Sequence, residues 1–201
     1  MSASEPHAPR RPDLWLVRHG DTDWARSGRH TGRTDVPLTD LGRDQGAALA
    51  DALAGHPFSL VLSSPLVRAA ETARLAGFSE RMRIDPDLAE WDYGAFEGLT
   101  SEEIGQQHPG WTLWTDGPTS GETIAQVAAR ADRVIARALA AEGDVLLFAH
   151  GHLLRVLAAR WLGLPPTAGR LLALSTAATS VLGWEHGHQV IVRWNERCQA
   201  T

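Results

Sequence analysis

The chain has 201 residues, a formal net charge of −5, and 43% hydrophobic against 21% charged residues, the balance of a globular protein with one sizeable core. The acidic balance argues against nucleic acid as a partner, and no apolar run approaches the roughly 20 residues that a membrane span needs. A single cysteine, Cys198, excludes an internal disulfide framework, and the arginines near the N-terminus have no apolar run behind them to make a signal peptide, so a cytoplasmic enzyme is expected.

Residues 1–12 are rich in Pro, Ala, Ser and Arg without periodicity and read as a disordered leader, with one domain over 13–197 and a tail over 198–201. Leu14 to Val17 reads as a short buried strand that runs into Arg18-His19-Gly20. Gly20 to Pro37 is polar and glycine-rich and reads as a loop. Thr39 can N-cap a helix from Asp40 to about Ala54. Phe58 to Leu62 is a second strand. Ser63-Ser64 is expected to cap a helix with Pro65 in its first turn, running to about Ala76. Arg83-Ile84 is a brief strand, and Leu88 to Gly98 is a loop carrying Glu90, Asp92, Tyr93 and Glu97. Thr100 with Glu103 predicts a capping box and a short helix. His108 to Gly121 is irregular. Glu122 to Ala141 has the apolar periodicity of the longest helix. Asp144 to Ala149 is a buried strand running into His150-Gly151-His152, followed by a helix from Leu153 to Leu162. Thr179–Glu185 and Gln189–Trp194 read as a hairpin joined by His186-Gly187-His188. The alternation of strand and helix predicts an α/β fold: a three-layer sandwich with a mostly parallel central sheet and helices on both faces.

Two buried strands thus end in Arg18-His19-Gly20 and His150-Gly151-His152, and ligands in open α/β sheets bind at carboxyl strand ends. If the strands are neighbours, two imidazoles face each other there, Arg68 brings a second guanidinium, and the helix after Gly151 aims free amides at the same place. Gly20 would let the backbone turn and approach an anion. The set suits a phosphate-sized dianion. It needs a proton donor for a leaving alcohol, for which Glu90 leads and Asp92 is the rival. His150 and His152 read as a metal pair would need a carboxylate or cysteine cluster that the chain does not offer, so no metal and no cofactor are expected.

These blocks resemble the histidine phosphatase (phosphoglycerate mutase-like) superfamily. They are Arg18-His19-Gly20-Asp21-Thr22, Thr31-Gly32, Leu38-Thr39, Ser64-Pro65 with Arg68, Glu90 with Tyr93-Gly94 and Glu97-Gly98, and Ala149-His150-Gly151, in register from about residue 13 to 195. The resemblance implies that His19 attacks phosphorus, that Arg18, Arg68 and His150 hold the equatorial oxygens, and that Glu90 is the proton donor. It adds Thr22, Thr31 and the Gly32 and Gly151 amides to the cradle, with Tyr93 in the same site. Cofactor-dependent mutases carry an asparagine where Ala25 stands, a lysine near Ser101 and paired arginines around Trp111 to Thr115; their absence points away from mutase activity. His152 stands where mutases have asparagine, and Asp21 where glutamate or glutamine is usual. The expectation is a metal-independent hydrolase of small phosphorylated metabolites, sugar phosphates foremost, with an acidic pH optimum. Arg29, Arg33 and Arg155 are candidates for a distal anionic group, and Trp111 and Trp114 for the mouth. Phosphoglycerate mutase and a catalytically silent phosphate-binding module are the alternatives, and a homodimer through the late hairpin stays open.

Overall fold

The computed structural model describes residues 11–197. Six strands form one sheet: β1 (Leu14–Arg18), β2 (Leu60–Ser63), β3 (Met82–Ile84), β4 (Val145–Ala149), β5 (Ala178–Glu185) and β6 (His188–Arg197), in the spatial order β3-β2-β4-β1-β5-β6. β3, β2, β4 and β1 are mutually parallel, and β5 and β6 add an antiparallel edge. β4 is buried throughout, as a central strand covered on both faces must be.

Helices α2 (Asp40–Leu53) and α3 (Val67–Leu75) cover one face, packing Leu49, Leu53 and Ala73 against Val17, Val61 and Phe148. Helices α5 (Ile124–Leu139) and α6 (Gly151–Trp161) cover the other, packing Val127, Ala131, Val134, Leu154 and Leu157 against Leu14, Leu16, Leu62 and Leu147. The three-layer expectation therefore holds, and alternate residues of β1 feed the two cores. The hairpin turn is His186-Gly187, with φ of 47° and 83°, the paired positive angles that match the twist of the flanking strands. His188 belongs to β6, not to the turn. Arg11 and Pro12, read with the leader, are packed: Arg11 lies 4.5 Å over the Trp184 ring, and the Pro12 carbonyl accepts from Trp184. The rest of the leader and Cys198 lie outside the described residues.

Four local expectations need correction. Ser63-Ser64 does not cap α3. Its N-cap is Leu66 without a side-chain bond; Ser64 Oγ, engaged with His150, accepts only the Leu66 amide (3.2 Å), and the Val67 amide donates to Asp35 at 2.8 Å. Helix α6 starts at Gly151, two residues early, since its cap comes from distant Glu90 rather than from a neighbour. The loop after Gly20 contains a helical turn, α1 (Asp23–Arg26), with Thr22 as N-cap. Gly20 itself has no left-handed φ. It is glycine because a Cβ there would sit 2.3 Å from the Gly42 carbonyl oxygen, at the start of α2. α4 (Ser101–Gln107) opens with the expected capping box between Thr100 and Glu103.

Candidate active site

The register of the parallel strands builds the site. Arg18 pairs with Ala149 and Ser63 with Phe148, so His19, His150 and Ser64 follow in one row at three adjacent carboxyl ends. The His19 amide donates to Ala149 (3.0 Å), and the two imidazole centroids stand 5.2 Å apart. Ala177 holds this end from the β5 side: its φ is 52°, and its amide is shared between the Arg18 and His19 carbonyls.

His19 is buried. Its Nδ1 lies 2.7 Å from the Gly20 carbonyl oxygen, which can only accept, so the proton is on Nδ1 and the lone pair is on Nε2. Burial first, then the Arg18 and Arg68 charges, push its pKa well below the usual histidine value. Burial, then Arg68, His19 and Arg18, do the same to His150. Both rings are therefore neutral.

Arg68 is wholly buried. Its Nη2 donates to the carbonyls of Thr31 (2.9 Å) and Gly32 (3.1 Å) and its Nη1 to that of Thr34 (3.0 Å), so it also shapes the loop above. Arg18 Nη1 donates to the Leu174 carbonyl at 2.6 Å. Three buried atoms of this cluster have no partner among the described residues: Arg18 Nε, Arg68 Nε and His150 Nδ1. His150 Nε2 is 2.7 Å from Ser64 Oγ. Ser64 is fully buried, its Oγ already accepts the Leu66 amide, and His150 Nε2 is the acceptor in reach of its hydrogen among the described residues; with that hydroxyl donating, the imidazole proton stays on Nδ1, so all three orphans are donors. Orphaned donors on this scale are costly unless an acceptor arrives.

Glu90 stands opposite. Its Oε1 accepts from the Trp91 (3.0 Å) and Leu153 (2.9 Å) amides and its Oε2 from His152 (3.1 Å), so the carboxylate caps α6. The loop that carries it is gathered by Arg130 of α5, which donates to the carbonyls of Asp87, Ala89 and Glu90 and forms a two-point bond to Glu122. Glu122 in turn accepts the Asp92 amide.

A cavity of about 410 Å³ opens over this floor. Arg18, His19, Glu90, Tyr93 and Gly151 line it together with Thr31, Arg29, His30, His152, Arg155, Trp111 and Trp114.

The histidine phosphatase superfamily (branch 1) model matches residues 14–197. The chain belongs to the histidine phosphatase superfamily. It is 45% identical over 183 residues to an acid phosphatase of Mycobacterium tuberculosis, covering 89% of each chain. It is 36% identical over 186 residues to sedoheptulose 1,7-bisphosphatase of Saccharomyces cerevisiae, covering 76% of this chain and 68% of that one. A solved structure of a Mycobacterium tuberculosis open reading frame product superposes with a TM-score of 0.89 at 39% identity, over 94% of this chain and 100% of the other. Mycobacterial glucosyl-3-phosphoglycerate phosphatase in complex with VO3 superposes with a TM-score of 0.83 at 33% identity, over 92% and 99%. This histidine phosphatase is a phosphoric monoester hydrolase with the phosphoglycerate mutase-like fold.

Of the residues singled out from sequence, Arg18, His19, Arg68, His150, Glu90, Tyr93, Thr31 and Gly151 converge on this site. Thr22 does not reach the cavity: it is fully buried as the N-cap of α1, accepting from Ala25. The Gly32 amide is not free, since it donates to Glu97 at 2.8 Å, and Gly32 lines a smaller cavity behind the Glu90 loop. Asp92 faces that same rear cavity and pairs with Arg33 at 2.8 Å, which removes both from the substrate side. Asp21 is an internal brace, accepting from Arg26 (2.6 Å) and Thr39 (2.8 Å). The α6 amides of His152 and Leu153 are taken by Glu90, so the helix terminus acts on substrate through that carboxylate. Among the described residues, no group of three or more His, Cys, Asp or Glu side chains is placed to hold a metal ion at His150 and His152. Ser64, Ala177 and Arg130 were not singled out as site residues: nothing local marks Arg130 among the polar positions of an amphipathic helix.

The two neutral imidazoles also tie stability to pH. Below the ordinary histidine pKa the unfolded chain takes up protons that native His19 and His150 do not. Native stability should therefore fall with decreasing pH, by about 1.4 kcal/mol per pH unit for each ring. Urea midpoints at pH 7.5, 6.5 and 5.5 test this, with the loss shallower in His19→Gln by one ring's share. Equal slopes in wild type and variant would contradict it.

Proposed function

We propose that this histidine phosphatase hydrolyses small phosphorylated metabolites, sugar phosphates foremost, through a phosphohistidine at His19. What carries the reading is the trio of orphaned buried donors, Arg18 Nε, Arg68 Nε and His150 Nδ1, beside the unprotonated Nε2 of His19. Three donors match the equatorial oxygens of a phosphoryl group under in-line attack. In the first step Nε2 forms a bond to phosphorus, the ester P–O bond breaks, and Glu90 gives its proton to the departing oxygen. Glu90 Oε2, with one amide donor against two on Oε1, is the oxygen with room for that proton. In the second step Glu90 takes a proton from water, whose oxygen attacks phosphorus as the P–N bond breaks. The guanidinium charges do the work that a metal would, so the proposal includes no metal and no cofactor.

The relatives' names support the substrate class: sedoheptulose 1,7-bisphosphatase and glucosyl-3-phosphoglycerate phosphatase both name sugar-derived esters. The cavity wall supports hydrolysis over mutase chemistry. Ala25, Ser101 and Trp111 to Trp114 line it where a mutase needs amide, ammonium and guanidinium groups. Low histidine pKa values keep the nucleophile unprotonated in mild acid, in line with an acidic optimum. We further infer a cytoplasmic enzyme that uses neither nucleic acid nor membrane; no helix among the described residues is long and apolar enough to cross a bilayer. A homodimer through the outer edge of β6 belongs to the same proposal.

Glu90→Gln tests the proton step. kcat/KM should fall on the order of 10²–10⁴-fold for a sugar phosphate, whose alkoxide cannot leave unprotonated. It should fall far less for p-nitrophenyl phosphate, whose phenolate leaves unaided. Equal losses on both substrates would remove Glu90 as the acid.

A further inference from the structure

The cavity wall holds two imidazoles that the chemistry does not use. His30 and His152 lie parallel within 2°, with centroids 6.1 Å apart, between Tyr93, Trp111 and Trp114. Each has one nitrogen committed. His30 Nδ1 is 2.9 Å from the Leu99 carbonyl oxygen, which can only accept, so Nδ1 carries a proton and, in the neutral ring, Nε2 is an acceptor. His152 Nδ1 is 2.7 Å from the Tyr93 hydroxyl. Tyr93 is fully buried, and burial together with the Glu90 charge raises its pKa far above the usual phenol value. It stays protonated and must place its hydrogen somewhere. Burial, with Arg155 and His30 adding to it, keeps His152 neutral. The Tyr93 hydroxyl therefore donates to Nδ1, and the one proton of His152 is left on Nε2. Neither Nε2 has a partner among the described residues. The wall of the cavity thus presents an acceptor beside a donor.

We infer that His30 and His152 read neighbouring hydroxyl groups on the alcohol half of the substrate, with Tyr93 as the positioning residue that sets the tautomer of His152. A hydroxyl both gives and takes a hydrogen bond, so a polyol satisfies both nitrogens at once. A second anion would satisfy only the donor and face the His30 lone pair. The guanidiniums nearby do not restore an anion site. Arg155 is spent on the Gly169 (3.0 Å) and Arg170 (3.2 Å) carbonyls and lies 4.6 Å over the Trp114 ring, and Arg29 is spent on Glu103 and Gly98. The Trp111 and Trp114 rings supply apolar faces for the carbons between the hydroxyls. The inference rests on the hydrolase reading and adds to it the residues that select a polyhydroxylated ester.

The test compares kcat/KM for three polyol esters (glycerol 3-phosphate, ribose 5-phosphate and glucose 6-phosphate) with that for n-hexyl phosphate, which has the same kind of leaving group and no hydroxyl. p-Nitrophenyl phosphate serves as the control for hydrolysis itself. Wild type should favour at least one polyol ester over the alkyl ester. His30→Leu and His152→Leu should each lower that ratio about tenfold or more, as the loss of a buried hydrogen bond to substrate does. His152→Gln, which keeps a donor near Nε2, should restore part of it, and Tyr93→Phe should lower it. Ratios within twofold of wild type in both leucine variants would overturn the inference while p-nitrophenyl phosphate turnover upholds the hydrolase reading. No phosphate release from any ester by the wild type would overturn both.

Discussion

His19→Ala should release phosphate from p-nitrophenyl phosphate at a rate lower by about 10⁴-fold or more, the scale on which deleting a covalent nucleophile acts. The reason is specific to this ring. Its Nε2 is the unprotonated nitrogen, because Nδ1 is fixed on the Gly20 carbonyl, and its neutrality survives mild acid because burial and two arginines oppose protonation. No neighbour can stand in. His150 has Nε2 engaged with Ser64, and His152 is engaged with Tyr93. The ring is not a keystone of the core, so the variant should fold, and its circular dichroism spectrum should match wild type. A folded His19→Ala enzyme retaining a tenth of wild-type turnover would mean that the nucleophile lies elsewhere.

Arg68→Ala should damage both activity and stability. The guanidinium is the strut under the loop from Thr31 to Thr34, and removing it strands the Thr31 and Gly32 carbonyl oxygens, while that of Thr34 keeps the Val36 amide at 3.0 Å. At about 1–3 kcal/mol for each buried group left without a partner, the total is several kcal/mol, or a drop in Tm of about 10 °C for a chain of this size. Loss of the orphaned Nε donor should lower kcat/KM about 10²–10³-fold in addition, as deleting one donor to a developing charge does. Arg68→Lys keeps a charge but cannot span three carbonyls and an oxyanion together, so it should recover little of either. Thermal melts and steady-state kinetics on the same preparations read the two effects separately. An alanine variant within 2 °C and threefold of wild type would show that Arg68 is not at the centre of the site.

What the sequence makes legible here is whatever is encoded locally. Runs such as Leu14 to Val17 and Val145 to Ala149 declare buried strands by composition, and the Thr100–Glu103 capping box declares its helix by spacing. The convergence of His19 and His150 could be read because both follow strands of the same kind, and parallel neighbours put their ends together. What stayed hidden is every feature that one part of the chain supplies to another. Helix α6 is capped by Glu90 across 62 residues of sequence, so its start looked later than it is. Ser64, read as a cap for α3, is at the same time the partner of His150, 86 residues away. Arg130 gathers the Glu90 loop from a helix whose pattern speaks only of packing. Thr22 and Gly32 carry the right residue types for a phosphate cradle, but Thr22 spends its hydroxyl on the Ala25 amide and Gly32 spends its own amide on Glu97.

Trapping the covalent intermediate tests the central claim most directly. Enzyme mixed with 32P-labelled sugar phosphate and quenched in alkali within milliseconds, then digested and mapped by mass spectrometry, should carry one phosphoryl group on the peptide containing His19. The label should be acid-labile and alkali-stable, as a phosphoramidate is, and should build up further in Glu90→Gln given 32P-labelled p-nitrophenyl phosphate, whose phenolate leaves unaided while water is no longer activated. Label on any other residue, or full turnover with no label on His19 in either protein, would contradict the account.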